Sequence, residues 1–113
     1  MKYAMLIYKT ASYGDLLSDE AVRQAADAFE AEVRALPTVS GVLRLQGVEA
    51  ATTVRVGEGK TLLTDGPFVD SKESLGGLFV LDVANLDEAT AIAARLQVSD
   101  PSGLAIEVRP VVE

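Results

Sequence analysis

The sequence predicts an α+β sandwich in which one antiparallel sheet carries two helices on one face and an extra β-hairpin. Three observations predict it. Two segments, KYAMLIYK from Lys2 and GLFVLDV from Gly77, are apolar on both alternating faces, as expected of central strands covered on both sides. Each is followed by a segment with helical periodicity. A closing strand that alternates and ends in proline completes the order β-α-β-(hairpin)-β-α-β.

In the first strand Tyr3, Met5 and Ile7 share one face, and Ala4, Leu6 and Tyr8 share the other. After the loop TASYGDLL, the stretch SDEAVRQAADAFEAEVRALP repeats Val22, Ala25, Ala26, Phe29, Val33 and Leu36 at helical spacing. Ser18 supplies an N-cap, Asp19 and Glu20 suit the positive helix start, and Pro37 marks the end. VSGVLRLQGVE reads as a strand, and ATTVRV and TLLTD read as a hairpin closed by the four residues GEGK. NLDEATAIAARLQ is the second helix, with Asn85 and Glu88 as a capping box and Leu86, Ala89, Ile92, Ala93 and Leu96 as the buried stripe. DPSG then turns the chain into LAIEVRPV, where Ile106 and Val108 alternate with Glu107 and Arg109 and Pro110 suits a sheet edge. This is the order of a ferredoxin-like sandwich. Two helices cover one face only, so the doubly apolar central strands predict a homodimer through the open sheet face.

At 113 residues, 49% hydrophobic and 24% charged, the chain has the size of a single domain, 1–113, with one core. No apolar run approaches the ~20 residues of a membrane-spanning helix. The apolar start is shorter than a secretory core and lacks a small-residue cleavage pattern. The expectation is a cytoplasmic protein with no membrane partner. Cysteine and histidine are both absent, which excludes disulfides, thiolate and histidine metal sites, cysteine nucleophiles and Ser-His-Asp catalysis. Proton transfer is left to Asp, Glu, Lys, Tyr or water, and no cofactor is expected. Ten Lys and Arg against 17 Asp and Glu give a net charge of −7, the wrong sign for neutralising phosphates, so no nucleic acid is expected as a partner.

Two glycine-rich stretches could carry function. VRVGEGKT has the flavour of a phosphate loop, but the glycine that the Walker pattern needs is Val54, the third glycine of a dinucleotide loop is Leu62, and no helix follows. TDGPFVDSKESLGG, residues 64–77, is the stronger candidate. Gly66 can take dihedrals that other residues avoid, and Pro67 fixes φ, so the chain turns sharply. The connection from Asp65 to Leu75 is long enough to favour a functional role.

Three readings of it follow from the residue types. In the first, Asp65 and Ser71 cap turns, Phe68 anchors the loop in the core, and Lys72 and Glu73 are solvated charges. In the second, Asp65 is a buried or half-buried proton carrier at the end of a strand, Lys72 stabilises developing negative charge, and Phe68 shapes a pocket. Gly66, Pro67, Glu73, Gly76 and Gly77 then line the substrate, the paired glycines because they let a ligand or backbone come close. In the third, Asp65, Asp70 and Glu73 bind a hard cation through oxygen. Elsewhere, Tyr3 and Tyr8 point to opposite faces, and Tyr13 and Asp15 lie in a loop able to fold over a site. Asp82 and Arg109 suit a salt bridge across the sheet, and Arg23, Glu30, Glu32 and Arg34 suit a solvated helix face.

MKYAMLIY, TDGPFVDSKESLGGLFVLDV, LDEATAIAARL and AIEVRPV together resemble the YCII-related family, in particular the branch named for its DGPF motif. The resemblance spans nearly the whole chain and is ungapped through the motif, with Val69, Asp70 and Ser71 where that branch most often has Ala, Glu and Thr. It implies a ferredoxin-like subunit of the dimeric α/β-barrel type with a cleft near the DGPF loop. In the YCII branch proper a His and Asp pair is the inferred active site, and some relatives are similar to small lyases acting on chlorinated or hydroxylated aromatic rings. This chain lacks histidine, so only the aspartate half can be represented, by Asp65. Genes of the DGPF branch often accompany extracytoplasmic-function sigma factors, which implies a sensing or accessory role as the alternative to metal-independent acid-base chemistry on a small aromatic ligand.

Overall fold

The computed structural model describes residues 1–113, running β1 (Lys2–Lys9), α1 (Asp19–Arg34), β2 (Val39–Arg44), β3 (Thr52–Gly57), β4 (Lys60–Asp65), β5 (Ser74–Asp82), α2 (Leu86–Val98) and β6 (Leu104–Pro110). Four strands form one antiparallel sheet in the order β2-β5-β1-β6, and β3 and β4 form a separate hairpin. The two doubly apolar strands are the inner pair and β6 is an edge, as the alternation predicts.

Strand register sorts the side chains. Tyr3 and Met5 of β1 and Phe79 and Leu81 of β5 are buried with Phe29 and Val33 of α1 and Ala89, Ala93 and Leu96 of α2. Ala4, Leu6 and Tyr8, facing Val80, Leu78 and Leu75 across the ladder, lie on the face that neither helix covers. Both helix starts are capped as their sequences suggest. Ser18 accepts from the Ala21 amide at 3.1 Å. Asn85 accepts from the Glu88 amide at 3.0 Å, and the Glu88 carboxylate accepts from the Ala84 amide at 2.7 Å.

The boundaries differ from expectation at three places. α1 ends at Arg34, because Leu36 precedes Pro37 and is pushed out of helical geometry; Leu36 still packs against the core. β2 stops at Arg44, and Val48–Ala50 forms a 3-10 turn where a continuous strand was expected. The hairpin closes through two residues, Glu58 and Gly59, both at positive φ (52° and 73°), the geometry of a type I′ turn matched to strand twist. Gly57 and Lys60 are therefore paired residues and not loop.

The hairpin leaves the body of the molecule. It packs substantially only on itself, and Val54, Val56, Leu62 and Leu63 are all exposed. The radius of gyration, 15.8 Å, accordingly exceeds the ~13 Å of a compact chain of this size. An isolated two-stranded hairpin is marginal in water. No helix is long and apolar enough to cross a membrane.

A bulge occurs where β1 passes β5: Ile7 pairs with Gly77 and Tyr8 with Leu75, leaving Gly76 as the extra residue. A Cβ on Gly77 would lie 2.6 Å from the Leu43 carbonyl oxygen of β2, so this glycine lets the strands approach. In urea denaturation, Phe79→Ala is expected to lower stability by about 3–5 kcal/mol and Asn85→Ala by about 1 kcal/mol. Gly77→Ala is expected to be destabilising as well, through displacement of β2. A Gly77→Ala protein of unchanged stability would refute the close-approach account.

Candidate functional site

The sheet separates two concavities. One lies on its open face, between the sheet and the DGPF loop, and has a volume of about 1130 Å³. The other is a smaller cavity of about 300 Å³ between α1 and the helix-covered face. The residues singled out from sequence divide between them. Pro67, Phe68 and Glu73 line the open-face cleft with Tyr8, Leu75 and Glu107. Gly76 and Gly77 line the cavity under α1 instead. Asp65, Gly66 and Lys72 line neither.

The DGPF turn is built by backbone geometry. Gly66 sits at φ 104°; its amide donates to the Ala51 carbonyl at 2.8 Å and its own carbonyl accepts from the Thr53 hydroxyl at 2.8 Å. These bonds tie the turn to the start of β3. Asp65 ends β4 as an exposed side chain, not the half-buried one its place at a strand end suggested. Phe68 is 71% exposed, which corrects the expectation that it anchors the loop in the core. Its ring lies beneath the Arg55 guanidinium, 5.6 Å from the centroid. Ser71 does cap a turn, accepting from the Glu73 amide at 3.1 Å. No three acidic side chains are grouped as a metal site would require.

Several charged and polar residues outside the DGPF stretch gather at the cavity under α1. Lys9, at the end of the core-facing row of β1, reaches into the cavity under α1 with its ammonium 5.2 Å from the centroid of the Tyr13 ring. Arg44, in the core-facing row of β2, bridges to Asp27 at 2.7 Å and Glu30 at 3.5 Å of α1. Glu30 also accepts from Arg34 at 2.9 Å. Arg23 and Glu30 therefore line a cavity rather than a purely solvated face. The signal was present: residues 23, 26, 30 and 33 share one helical face, so the charges are in phase with Ala26 and Val33. Asp82 and Arg109 do not pair, because β1 lies between their strands; Asp82 meets the Met1 ammonium at 3.3 Å and Arg109 meets Glu107.

The electrostatics follow the same geometry. The hydrogen bond from Arg34, reinforced by its charge and by Arg44, holds the Glu30 carboxyl below the ordinary glutamate value. The Asp27 carboxylate raises Arg44 further above its usual value, so it stays charged. Burial, and then the charge of Asp100, push the Tyr13 phenol above its usual value, so it remains a neutral donor.

The YCII-related domain model matches residues 1–113. The protein belongs to the YCII-related family. Among its relatives is an uncharacterized protein of Rhizobium meliloti (strain 1021), 37% identical over 114 residues, an alignment covering 98% of this chain and 92% of that protein. As a YCII-related protein it has the α+β, ferredoxin-like arrangement described above.

A depressed Glu30 pKa stabilises the fold above the ordinary glutamate range, and the contribution is lost as pH falls through the folded-state value. Carboxyl NMR titration is expected to show Glu30 returning toward the ordinary value in Arg34→Met, and to a smaller extent in Arg44→Met. The reverse ranking would show that the Arg44 bridge dominates.

Proposed function

We propose that this YCII-related protein belongs to the DGPF branch and acts as a homodimer that binds a small molecule in the cleft between the open sheet face and the DGPF loop. One observation carries the reading: that cleft, about 1130 Å³ in volume, is lined by apolar residues that a single chain leaves open, Phe68 and Val69 among them. Beyond the cleft, Leu43 and the hairpin residues Val54, Val56, Leu62 and Leu63 are exposed as well. A second copy laid on the open face would shield the row Leu6, Tyr8, Leu78 and Val80 and give the hairpin a surface to pack on. It would also roof the cleft, turning an open groove into an enclosed site of the kind that excludes water from a ligand.

The catalytic form of this reading is metal-independent acid-base chemistry on a small aromatic substrate. Asp65 carries the proton, Lys72 stabilises negative charge, and Phe68 shapes the pocket, with Gly66, Pro67 and Glu73 as substrate contacts; Gly76 and Gly77, expected among them from the sequence, line the other cavity. Tyr8, Glu73 and Glu107 are the titratable groups already in the cleft, so Asp65 and Lys72 reach the ligand only if the second copy brings them there. A non-catalytic sensor or accessory domain is the competing reading, favoured by Asp65 and Lys72 lying outside both concavities.

Light scattering at micromolar concentration is expected to give twice the 11.9 kDa chain mass, and Leu78→Lys is expected to give the chain mass itself. A wild-type monomer would sink the dimer. In an NMR shift screen against small phenols, carboxylates and metabolites, perturbations are expected to cluster on Gly66, Phe68 and Leu75 and to weaken in Asp65→Asn. Turnover lost in that variant supports the enzyme, whereas binding without turnover supports the sensor. No clustered shifts on this face would remove the site.

A further inference from the structure

We propose that the cavity between α1 and the helix-covered face of the sheet is a second, separate binding site, for a small organic monocarboxylate with an apolar body. It lies across the sheet from the open-face cleft and is lined by a single chain. Its volume of about 300 Å³ is at the lower end of the range for small-molecule sites, room for a single ring or short chain.

The apolar walls are set by residues on four elements. Ala26 and Phe29 of α1, Ile7 of β1, Val42 of β2 and Leu104 of β6 supply apolar surface. The space exists because Ala26 is small and the sheet floor beneath α1 is glycine at positions 76 and 77. Gly76 also places the cation at the mouth: a Cβ there would lie 3.1 Å from Lys9 Cε and 3.4 Å from Lys9 Cγ. The bare backbone thus lets the lysine stem lie flat and carry its ammonium to Tyr13.

Charge selects the ligand class. The chain carries −7 overall, yet the lining holds three basic residues, Lys9, Arg23 and Arg44, against two acidic ones, Asp19 and Glu30. Arg44 is occupied by Asp27 and Glu30. Lys9, whose ammonium stands over the Tyr13 ring, and Arg23 form no salt bridge, and among the acidic lining residues neither does Asp19, so the unbridged charges leave one positive charge in excess. Two cations free of salt bridges against one such carboxylate, with a neutral phenol beside them in a mostly apolar lining, complement a single carboxylate whose hydrocarbon part meets the apolar walls. A neutral ring would leave the cations unanswered. A dianion would meet Asp19 and Glu30 as well.

The test titrates sodium benzoate and sodium hexanoate into labelled full-length protein, with benzamide as the neutral control. Saturable shifts are expected at the amides of Ala26, Val42, Gly76 and Gly77 with both carboxylates and not with benzamide. Lys9→Met and Arg23→Gln should each weaken binding by about tenfold, the loss expected for one charge-assisted hydrogen bond, and raised salt should weaken the wild type. Ala26→Leu, which fills the chamber, should abolish binding while leaving the spectrum dispersed; should that variant unfold, Arg23→Gln, at an exposed position, still decides. No saturable shift at millimolar carboxylate, equal binding of benzamide, or affinity unchanged in both charge variants would overturn the proposal. Shifts confined to Phe68 and Leu75 would also overturn it, since they would put the carboxylate in the open-face cleft and leave that reading intact.

Discussion

The pairing of β1 with β5 is the constraint on which everything else in this protein depends. Both strands are apolar on both faces, so their ladder cannot stand at an edge or face water on either side without cost. One face is met by α1 and α2, whose stripes enclose Met5, Phe79 and Leu81. The other carries Leu6, Tyr8, Leu78 and Val80, which remain half-buried with no helix over them. The proposed second copy answers that imbalance, and it would also cover the projecting hairpin, which has apolar residues on both sides and packs mainly on itself.

The same pairing sets the two concavities. Where β1 runs past β5 the register slips by one residue at Gly76, and two consecutive positions carry no side chain. On the helix side this leaves a chamber beneath α1. On the open side the chain leading into β5 swings out as the DGPF loop and forms the wall of the larger cleft. The LGG segment is thus a structural element with consequences on both faces, while the DGPF turn itself is held by the Gly66 bonds to Ala51 and Thr53. The charges are organised around the first of these spaces: Arg44 ties β2 to α1 through Asp27 and Glu30, and Lys9, Arg23 and Asp19 line it without a salt bridge.

Element order, the inner position of the two doubly apolar strands, both helix caps and the edge position of β6 were determined by the sequence alone. They rest on interactions between residues close along the chain: side-chain periodicity, a cap three residues from its amide, a proline that ends a helix or marks an edge. The candidate site was legible only in part, because residues 64 to 77 identify a turn without saying which face each side chain serves. Tertiary structure decided that Pro67, Phe68 and Glu73 face the open cleft while Gly76 and Gly77 face the helix side, and that Phe68 is exposed. It also decided that Lys9, Arg23 and Arg44 converge on one chamber. Each of those outcomes depends on strand register and on how a helix docks over a bulge, and neither quantity is written in the local spacing of the residues that it brings together.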